Sequence, residues 1–193
     1  MQLENIAEIK TGYPLRGKAM PQQEGNLMLV QMKDVHPSEG VDWSTPIRIA
    51  DKSRKQPDFL QHDEILFVGR GSRMFAVYVK EPPFASVASP HFYVISPHRQ
   101  AHVLPQYLVW YLNSLDAQRY YAQNTEGSAL PYISRKALSQ IPVPLPPMEM
   151  QEHIINTDRC WKKERRLLEE LIEKREILIT NILAKSITQG EAA

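Results

Sequence analysis

Two arginines lie on one short, glycine-containing segment in the middle of the chain. Gly69-Arg70-Gly71-Ser72-Arg73 separates two apolar runs, and no acidic residue occurs from Ile65 through Lys80. The glycines allow the backbone to approach a ligand closely, and a guanidinium group can bind guanine in the major groove or hold a phosphate. The segment therefore predicts DNA contacts from Arg70, Ser72 and Arg73. A hairpin with solvated arginines is the alternative, and a nucleotide-phosphate loop is disfavoured because neither common glycine spacing is present.

A second basic loop lies close to the start of the chain. Residues 10–18 read Lys-Thr-Gly-Tyr-Pro-Leu-Arg-Gly-Lys, and no acid occurs between Ile9 and Gln23. Two glycines and a proline indicate a shaped loop, and cations beside an aromatic ring suit phosphate contact together with base stacking or edge reading. Lys10, Tyr13, Arg16 and Lys18 are therefore candidates for DNA contact, an interpretation that depends on the family resemblance given below. A solvated turn is the competing interpretation.

Further polar and basic side chains occur in stretches that lack acids. Residues 85–115 contain no Asp or Glu, and neither do residues 127–148. The additional candidates for DNA contact are Lys33, Ser89, His91, Ser128, Tyr132, Arg135 and Lys136. The alternatives are structural: a strand end, a hydrogen-bonded histidine, and a turn that docks the Gly127-Ser128 loop onto a sheet.

Short apolar runs bounded by turn residues must position these loops. Strands are predicted at 27–31, 47–49, 65–68, 75–79 and 91–95, with 47–49 at a sheet edge and the acidic turn Asp63-Glu64 leading into 65–68. Residues 3–9 suit a short helix or a strand. A pattern of apolar residues three and four apart predicts one helix over 104–123; its apolar face consists of Leu104, Leu108, Tyr111, Leu112 and Leu115.

A proline-rich segment separates this mixed region from the rest of the chain. Four prolines lie within six residues, at Pro142, Pro144, Pro146 and Pro147. Proline has no N–H and fixes φ, and it pushes the preceding residue toward an extended conformation. Residues 141–147, the proline strap, are therefore predicted to be extended, with Pro147 in the first turn of a following helix. A plain interdomain linker is the alternative.

The sequence after the strap has a helical pattern from 148 to about 187. Six apolar residues fall mostly at seven-residue spacing, although Glu164 and Arg175 interrupt it: Ile154, Trp161, Leu168, Leu171, Leu178 and Ile182. Some 40 helical residues span roughly 60 Å, and a 147-residue domain cannot bury so long a stripe along its whole length. The pattern predicts a coiled-coil partner helix.

Composition restricts the remaining possibilities. The 193 residues are 42% hydrophobic and 23% charged, which is typical of a globular domain with an appendage. The net charge is +1, so DNA binding would depend on local patches. Cys160 is the only cysteine, which excludes an intramolecular disulfide and a Cys-based zinc site, and a reducing cytoplasm is expected. No signal peptide, membrane span, metal site or catalytic constellation is predicted.

Three segments together resemble the DNA specificity subunit of type I restriction-modification systems. They are Gly-Ser-x-x-x-x-Ile-Ser at 127–134, Ile-Pro-x-Pro-x-Pro-Pro-x-x-x-Gln-x-x-Ile at 141–154, and an Ile-x-x-Gly loop at 9–12. The acidic turn, apolar strand and glycine loop at 63–73 are also similar to that family, and the resemblance covers most of the chain. It implies a target-recognition domain built on a conserved spacer helix.

The resemblance sets the expectations for fold and function. The fold is expected to be α+β: a β-rich DNA target-recognition domain at 1–147 with a packed helix, a long spacer and dimerisation helix at 148–187, and a tail at 188–193. The chain is expected to be a half-sized, non-catalytic subunit that forms a homodimer and reads a bipartite palindromic target. It would bind double-stranded DNA and a modification subunit that methylates adenine.

Cofactors are expected only on the partners of this chain. S-adenosylmethionine would lie on the modification subunit, and ATP and Mg²⁺ on a restriction subunit where one is present. Two other classes stay open: a dimeric coiled-coil scaffold that presents a protein-binding β domain without DNA specificity, and an enzyme of unrecognised type. The near-neutral charge favours the scaffold over DNA binding.

Overall fold

The computed structural model describes residues 1–15, 19–22, 24–50 and 57–190, with side chains up to 185. It divides into a first unit, Met1–His153, and a second unit, Ile154–Ala193. The strands of the first unit are β1 (Ala7–Thr11), β2 (Leu27–Val30), β3 (Val35–His36), β4 (Gly40–Val41), β5 (Ile47–Ile49), β6 (Ile65–Val68), β7 (Phe75–Tyr78), β8 (Ser86–Ala88), β9 (Phe92–Pro97), β10 (Thr125–Glu126) and β11 (Tyr132–Ile133). The mixed α+β class predicted from sequence is confirmed.

A four-stranded antiparallel sheet in the order β1-β9-β6-β7 forms the middle of this unit. One face packs on the three-stranded sheet β5-β2-β8, where β5 is an edge strand as predicted. The core between the two sheets contains Val30, Leu66, Val77, Ala88 and Phe92. The other face carries helices, since the Phe67 ring lies 5.4 Å from the Tyr121 ring. The first unit therefore has a sheet–sheet–helix layering, with the four-stranded sheet in the centre.

The predicted helix over 104–123 is two helices. The first, α1 (Pro105–Leu112), has Pro105 in its first turn as expected, and the second, α2 (Leu115–Asn124), begins after Ser114. The Ser114 hydroxyl accepts a hydrogen bond from the Ala117 N–H, which is how serine caps a new helix. Asn113 instead exchanges two hydrogen bonds with the backbone of Ala76 on β7. Leu115, assigned to the apolar face, is 77% exposed, so that part of the prediction is wrong.

The proline strap is extended and is held by side chains from α1. Its pattern alternates, with Ile141 and Val143 buried and Pro142 and Pro144 exposed. The Tyr111 hydroxyl donates to the Pro142 carbonyl at 2.5 Å, and the Tyr107 hydroxyl donates to the Pro144 carbonyl at 2.8 Å. The short helix α3 (Arg135–Ser139) precedes the strap. The strap is thus part of the folded unit, and the linker alternative does not describe it.

The start of the chain pairs with the strap. Leu3 donates its N–H to the Ile141 carbonyl at 3.1 Å, and Gln2 forms a bridge with Pro142. The Val143 N–H donates to the Met1 carbonyl at 2.6 Å, and the Met1 amino group donates to the Val143 carbonyl at 2.8 Å. A 3-10 turn at Leu3–Asn5 then leads into β1. Residues 3–9, for which a short helix or a strand was predicted, therefore contain both: a 3-10 turn followed by the start of β1.

The last helix, α4 (Met148–Gly190), is 43 residues long and begins directly after Pro147. Its exposed apolar side chains within the second unit include Trp161, Leu168, Leu171, Leu178 and Ile182. No helix within the described part of the chain is long and apolar enough to cross a membrane.

Candidate nucleic-acid interface

The predicted loops lie together at one end of the four-stranded sheet, where its four strands begin or end. Thr11 pairs with Tyr93, and Val68 pairs with both Phe92 and Phe75. The loop after β1, the turn before β9 and the β6–β7 loop therefore leave the sheet at the same end. These segments carry Tyr13, His91 and the Gly69–Arg73 sequence, which are far apart along the chain.

Two segments that follow strands of the three-stranded sheet also lie next to this end of the four-stranded sheet. The Ser89 N–H donates to the Val30 carbonyl at 2.8 Å, and the Tyr13 N–H donates to the Ala88 carbonyl at 2.7 Å. Gly12 lies directly on this turn, because a Cβ at position 12 would be 2.0 Å from the Ser89 carbonyl oxygen. The Ile-x-x-Gly pattern is thus explained by a close crossing of two backbones.

The Gly127-Ser128 loop connects β10 and β11, and this hairpin docks on the arginine loop. The Ile133 N–H donates to the Gly69 carbonyl at 2.8 Å, and the Gly71 N–H donates to the Pro131 carbonyl at 2.8 Å. Gly71 has a φ of 101° and Gly127 a φ of 85°, a region that side chains rarely adopt. The docking and DNA-facing roles considered for this loop are compatible, since its backbone docks while Ser128 stays exposed.

Docking creates a row of three side chains across three chain segments. Glu126 pairs with Tyr132 in the hairpin, and Tyr132 forms a bridge with Arg70. Residues directly opposite one another in antiparallel pairing lie on the same face. All three are exposed, and the Tyr132 hydroxyl donates to Glu126 Oε2 at 2.8 Å. This hydrogen bond to a carboxylate raises the pKa of the Tyr132 phenol, while the nearby Arg70 charge acts in the opposite direction.

Tyr93 lies next to this row and connects it to Arg135. Its hydroxyl donates to the Ile133 carbonyl at 3.1 Å, and burial raises the pKa of its phenol although the charges of Arg70 and Arg135 oppose the shift. Arg135 Nη1 also lies 3.4 Å from the Ile9 carbonyl oxygen. Arg70, predicted from the glycine loop, and Tyr132 and Arg135, predicted from the stretch after Gly127, are thus neighbours around the partly buried Tyr93 ring.

Sequence reasoning missed Tyr93 and Glu126. Tyr93 lies within a predicted strand, and Glu126 lies just outside the acid-free stretch that marks the neighbouring candidates. The available signal for Glu126 was its position directly before Gly127-Ser128, which places it at the end of a hairpin strand. A carboxylate inside an otherwise cationic group is a chemical feature in its own right.

The other predicted residues have different surroundings. Ser72, Arg73, His91 and Lys136 are exposed, whereas Ser89 is 3% exposed, so its side chain is not on the surface. Lys10 Nζ lies 3.5 Å from a Glu8 carboxylate oxygen, and Lys33 Nζ lies 3.9 Å from the buried Asp34 carboxylate. Arg16 and Lys18 lie outside the described residues. Within residues 1–15, 19–22, 24–50 and 57–190, no carboxylate lies within 4.0 Å of the Arg70 or Arg73 guanidinium.

A cleft of about 450 Å³ lies beside the end of β1, on the side facing the second sheet. Lys10, Tyr13 and Phe59 line it, but so do the carboxylates of Asp58 and Glu64. Two carboxylates against one lysine do not suit a phosphate. Over the described residues, no group of three or more His, Cys, Asp and Glu side chains could hold a metal ion.

Comparison with known proteins identifies the class of this arrangement. The family model described as "Type I restriction modification DNA specificity domain" matches residues 1–157. This chain belongs to that family, whose members are the non-catalytic specificity subunits. The resemblance inferred from the Gly-Ser and proline motifs is therefore confirmed. No curated protein matches the chain significantly.

Three solved structures share the fold. The type I restriction-modification S subunit from M. genitalium matches with a TM-score of 0.57 and 15% identity, covering 90% of this chain and 41% of its own. The HsdS subunit from Thermoanaerobacter tengcongensis gives 0.64 and 15%, covering 89% and 43%. A chain from a study of assembly and conformational transition of the type I R-M system gives 0.64 and 18%, covering 86% and 38%. This chain spans about two-fifths of the length of each.

Proposed function

We propose that this chain binds a specific double-stranded DNA sequence and directs adenine methylation, and restriction where a restriction subunit is present, by partner subunits. This proposal rests on the convergence of three segments at one end of the four-stranded sheet. They are the arginine loop, the Gly127-Ser128 hairpin and the loop after β1. In the described residues, the arginine loop exposes Arg70 and Arg73 at this end of the sheet. Phosphate contacts would set the register, and base contacts would supply the specificity.

Chemistry belongs to the partners in this proposal. S-adenosylmethionine would be bound by the modification subunit, and ATP and Mg²⁺ by a restriction subunit, in the cytoplasm. This chain would determine which DNA sequence is bound and how far apart its two half-sites lie. With a net charge of only +1, DNA binding by this chain would depend on local contacts.

The exposed apolar residues of α4 support dimerisation. Trp161, Leu168, Leu171, Leu178 and Ile182 are each about half exposed, so a partner helix would remove substantial apolar surface from water. Antiparallel pairing of two copies would supply two recognition domains related by a two-fold axis, and the target would be an interrupted palindrome. Sedimentation of the purified chain tests this step, and a Leu171→Glu variant that stays as associated as the wild type would argue against helix pairing.

The decisive experiment is reconstitution with the modification subunit from the same source. We expect the complex to methylate adenine in one bipartite sequence, and to bind that sequence with an affinity that falls steeply as salt increases. The control is the modification subunit alone, which we expect to lack sequence selectivity. Methylation without any selectivity by the complete complex would remove the proposal.

The scaffold function is the second candidate, and the exposed helix together with the near-neutral charge favours it. A scaffold would dimerise as well, but its complex would not distinguish DNA sequences. Salt-dependent, sequence-selective binding therefore separates the two functions.

A further inference from the structure

In the Glu126–Tyr132–Arg70 row, an anionic acceptor and a cationic donor lie on one exposed face. Glu126 and Arg70 are on opposite sides of Tyr132, each one strand away from it. Adjacent cross-strand residues have Cβ atoms roughly 4.5–5.5 Å apart. Two such steps separate the Glu126 and Arg70 Cβ atoms by roughly 10 Å, and the long side chains of both residues can close this distance toward neighbouring groups of one ligand. Over the described residues they form no ion pair with each other, so both retain their bonding capacity toward a ligand, apart from the Tyr132 hydroxyl on Glu126.

A carboxylate on a DNA-facing surface is selective because phosphates repel it. Its favourable partners are base amino groups, and the bases differ in what lies beside that group. Adenine presents the N7 acceptor next to its N6 amino group, which suits an amide, whereas cytosine presents the N4 donor without an adjacent acceptor. A glutamate therefore favours cytosine. The guanidinium favours guanine, where O6 and N7 accept two parallel hydrogen bonds.

We infer that Arg70 and Glu126 read one G·C base pair of the target, with the guanidinium on guanine and the carboxylate on the cytosine amino group. Tyr132 positions the carboxylate through its 2.8 Å hydrogen bond and keeps the two charges apart. This inference rests on the proposed function and deepens it, since it names the base pair and adds Glu126 as a specificity-determining residue.

The test is selection from a randomised DNA library by the assembled complex. The variants are Glu126→Gln, Arg70→Lys and Tyr132→Phe, with Glu81→Gln as the matched control, because Glu81 is exposed beyond the opposite end of β7. The wild type and the control are expected to require a G·C pair at one position of the half-site. Glu126→Gln is expected to lower the preference for this G·C pair by about tenfold without installing a new preference, because an uncharged amide accepts more weakly from the cytosine amino group while Arg70 still selects guanine on the other strand.

Arg70→Lys is expected to relax the preference for guanine at that same base pair, since an ammonium group lacks the two-pronged geometry. Tyr132→Phe should weaken the preference for this G·C pair less than Glu126→Gln does. These substitutions are exposed and close in size, and thermal melting of each variant verifies that it is folded.

Two outcomes would overturn the inference while leaving the proposed function intact. In the first, Glu126→Gln raises affinity for all sequences alike, which would place the carboxylate against phosphates. In the second, Arg70→Lys and Glu126→Gln alter different base pairs or none. A wild-type complex without any sequence preference would instead remove the proposed function itself, and with it the inference.

Discussion

At the scale of single residues, the candidate interface consists of side chains whose neighbours come from distant parts of the chain. Arg70 pairs with Tyr132 through a backbone bridge, and the Arg70 and Arg135 charges both act on the Tyr93 phenol. The arginines could be predicted because glycines and the absence of acids mark their loop. Tyr93 and Glu126 could not be predicted, because their neighbours are defined only by the pairing of the β10–β11 hairpin with the arginine loop.

The arginine loop gives the first prediction at this scale. Arg70→Ala or Arg73→Ala is expected to weaken binding of the assembled complex to its target by ~1–3 kcal/mol if that arginine contacts a base, and to relax selectivity at one position. Competition binding against a scrambled duplex measures both effects. Lys80→Ala is the control, since Lys80 is exposed past the other end of β7. A variant that keeps full affinity and selectivity would take its arginine out of the interface.

Gly12 gives a prediction about stability. Its position allows no side chain, because a Cβ would lie 2.0 Å from the Ser89 carbonyl oxygen and 2.7 Å from the Ala88 carbonyl oxygen. Gly12→Ala is expected to lower the free energy of unfolding by about 1–3 kcal/mol, the usual cost of forcing packed groups apart. Urea denaturation measures it, with Thr11→Ala, an exposed neighbour, as the control. Equal stability of the two variants would contradict the crossing described for this turn.

At the scale of elements, Gln151 connects the start of α4 to the rest of the first unit. It is fully buried, its Oε1 accepts from the Leu104 N–H at 2.9 Å, and its Nε2 donates to the carbonyls of His102 and Pro146 at 2.9 Å each. The Gln of the Pro-Pro-x-x-x-Gln motif is therefore structural. It fixes the strap, the start of α1 and the first turn of α4 together.

We predict that Gln151→Ala destabilises the first unit more than an exposed substitution does. The change leaves three partly buried backbone groups without their side-chain partner, and one unsatisfied buried group costs up to about 1–3 kcal/mol. The free energy of unfolding from urea titration is the measurement, and Gln123→Ala, exposed on α2, is the control. A difference below a few tenths of a kcal/mol between the two variants would show that water replaces the lost hydrogen bonds.

Elements were predicted well where local chemistry agrees with tertiary structure. The strands at β2, β5, β6 and β9 follow apolar runs, and four prolines leave the strap no choice but an extended conformation. The single helix over 104–123 was wrong because the pattern of apolar residues continues across Asn113 and Ser114. The break is visible only in the folded structure, where the Asn113 side chain hydrogen bonds to the backbone of Ala76 on β7. Sheet order was beyond sequence reasoning, since pairing such as β1 with β9 joins residues more than 80 positions apart.

At the scale of the whole molecule, the proposed dimer makes α4 a spacer between two half-sites. Deleting residues 164–170 removes one heptad and keeps the apolar register. The helix becomes about 10 Å shorter, and the gap in the target is expected to shrink by roughly 3 base pairs at 3.4 Å per base pair. Mapping of methylated sites in cells carrying the variant measures the gap, with a substitution of the same seven residues by a helical heptad of equal length as the control. An unchanged gap would contradict the spacer role.

The pairing of Met1–Leu3 with residues 141–143 has a consequence for how such molecules change over generations. Residues 1–3 and 141–143, on either side of the sheets and loops of the first unit, lie next to each other and are joined by backbone hydrogen bonds. A domain with adjacent ends can be exchanged or inserted as a cassette without pulling its host apart. Recombination at 1–3 and 141–143 would therefore transplant an entire set of recognition loops in one event. A new target sequence could then arise in a single exchange, with no need for gradual change through non-selective intermediates.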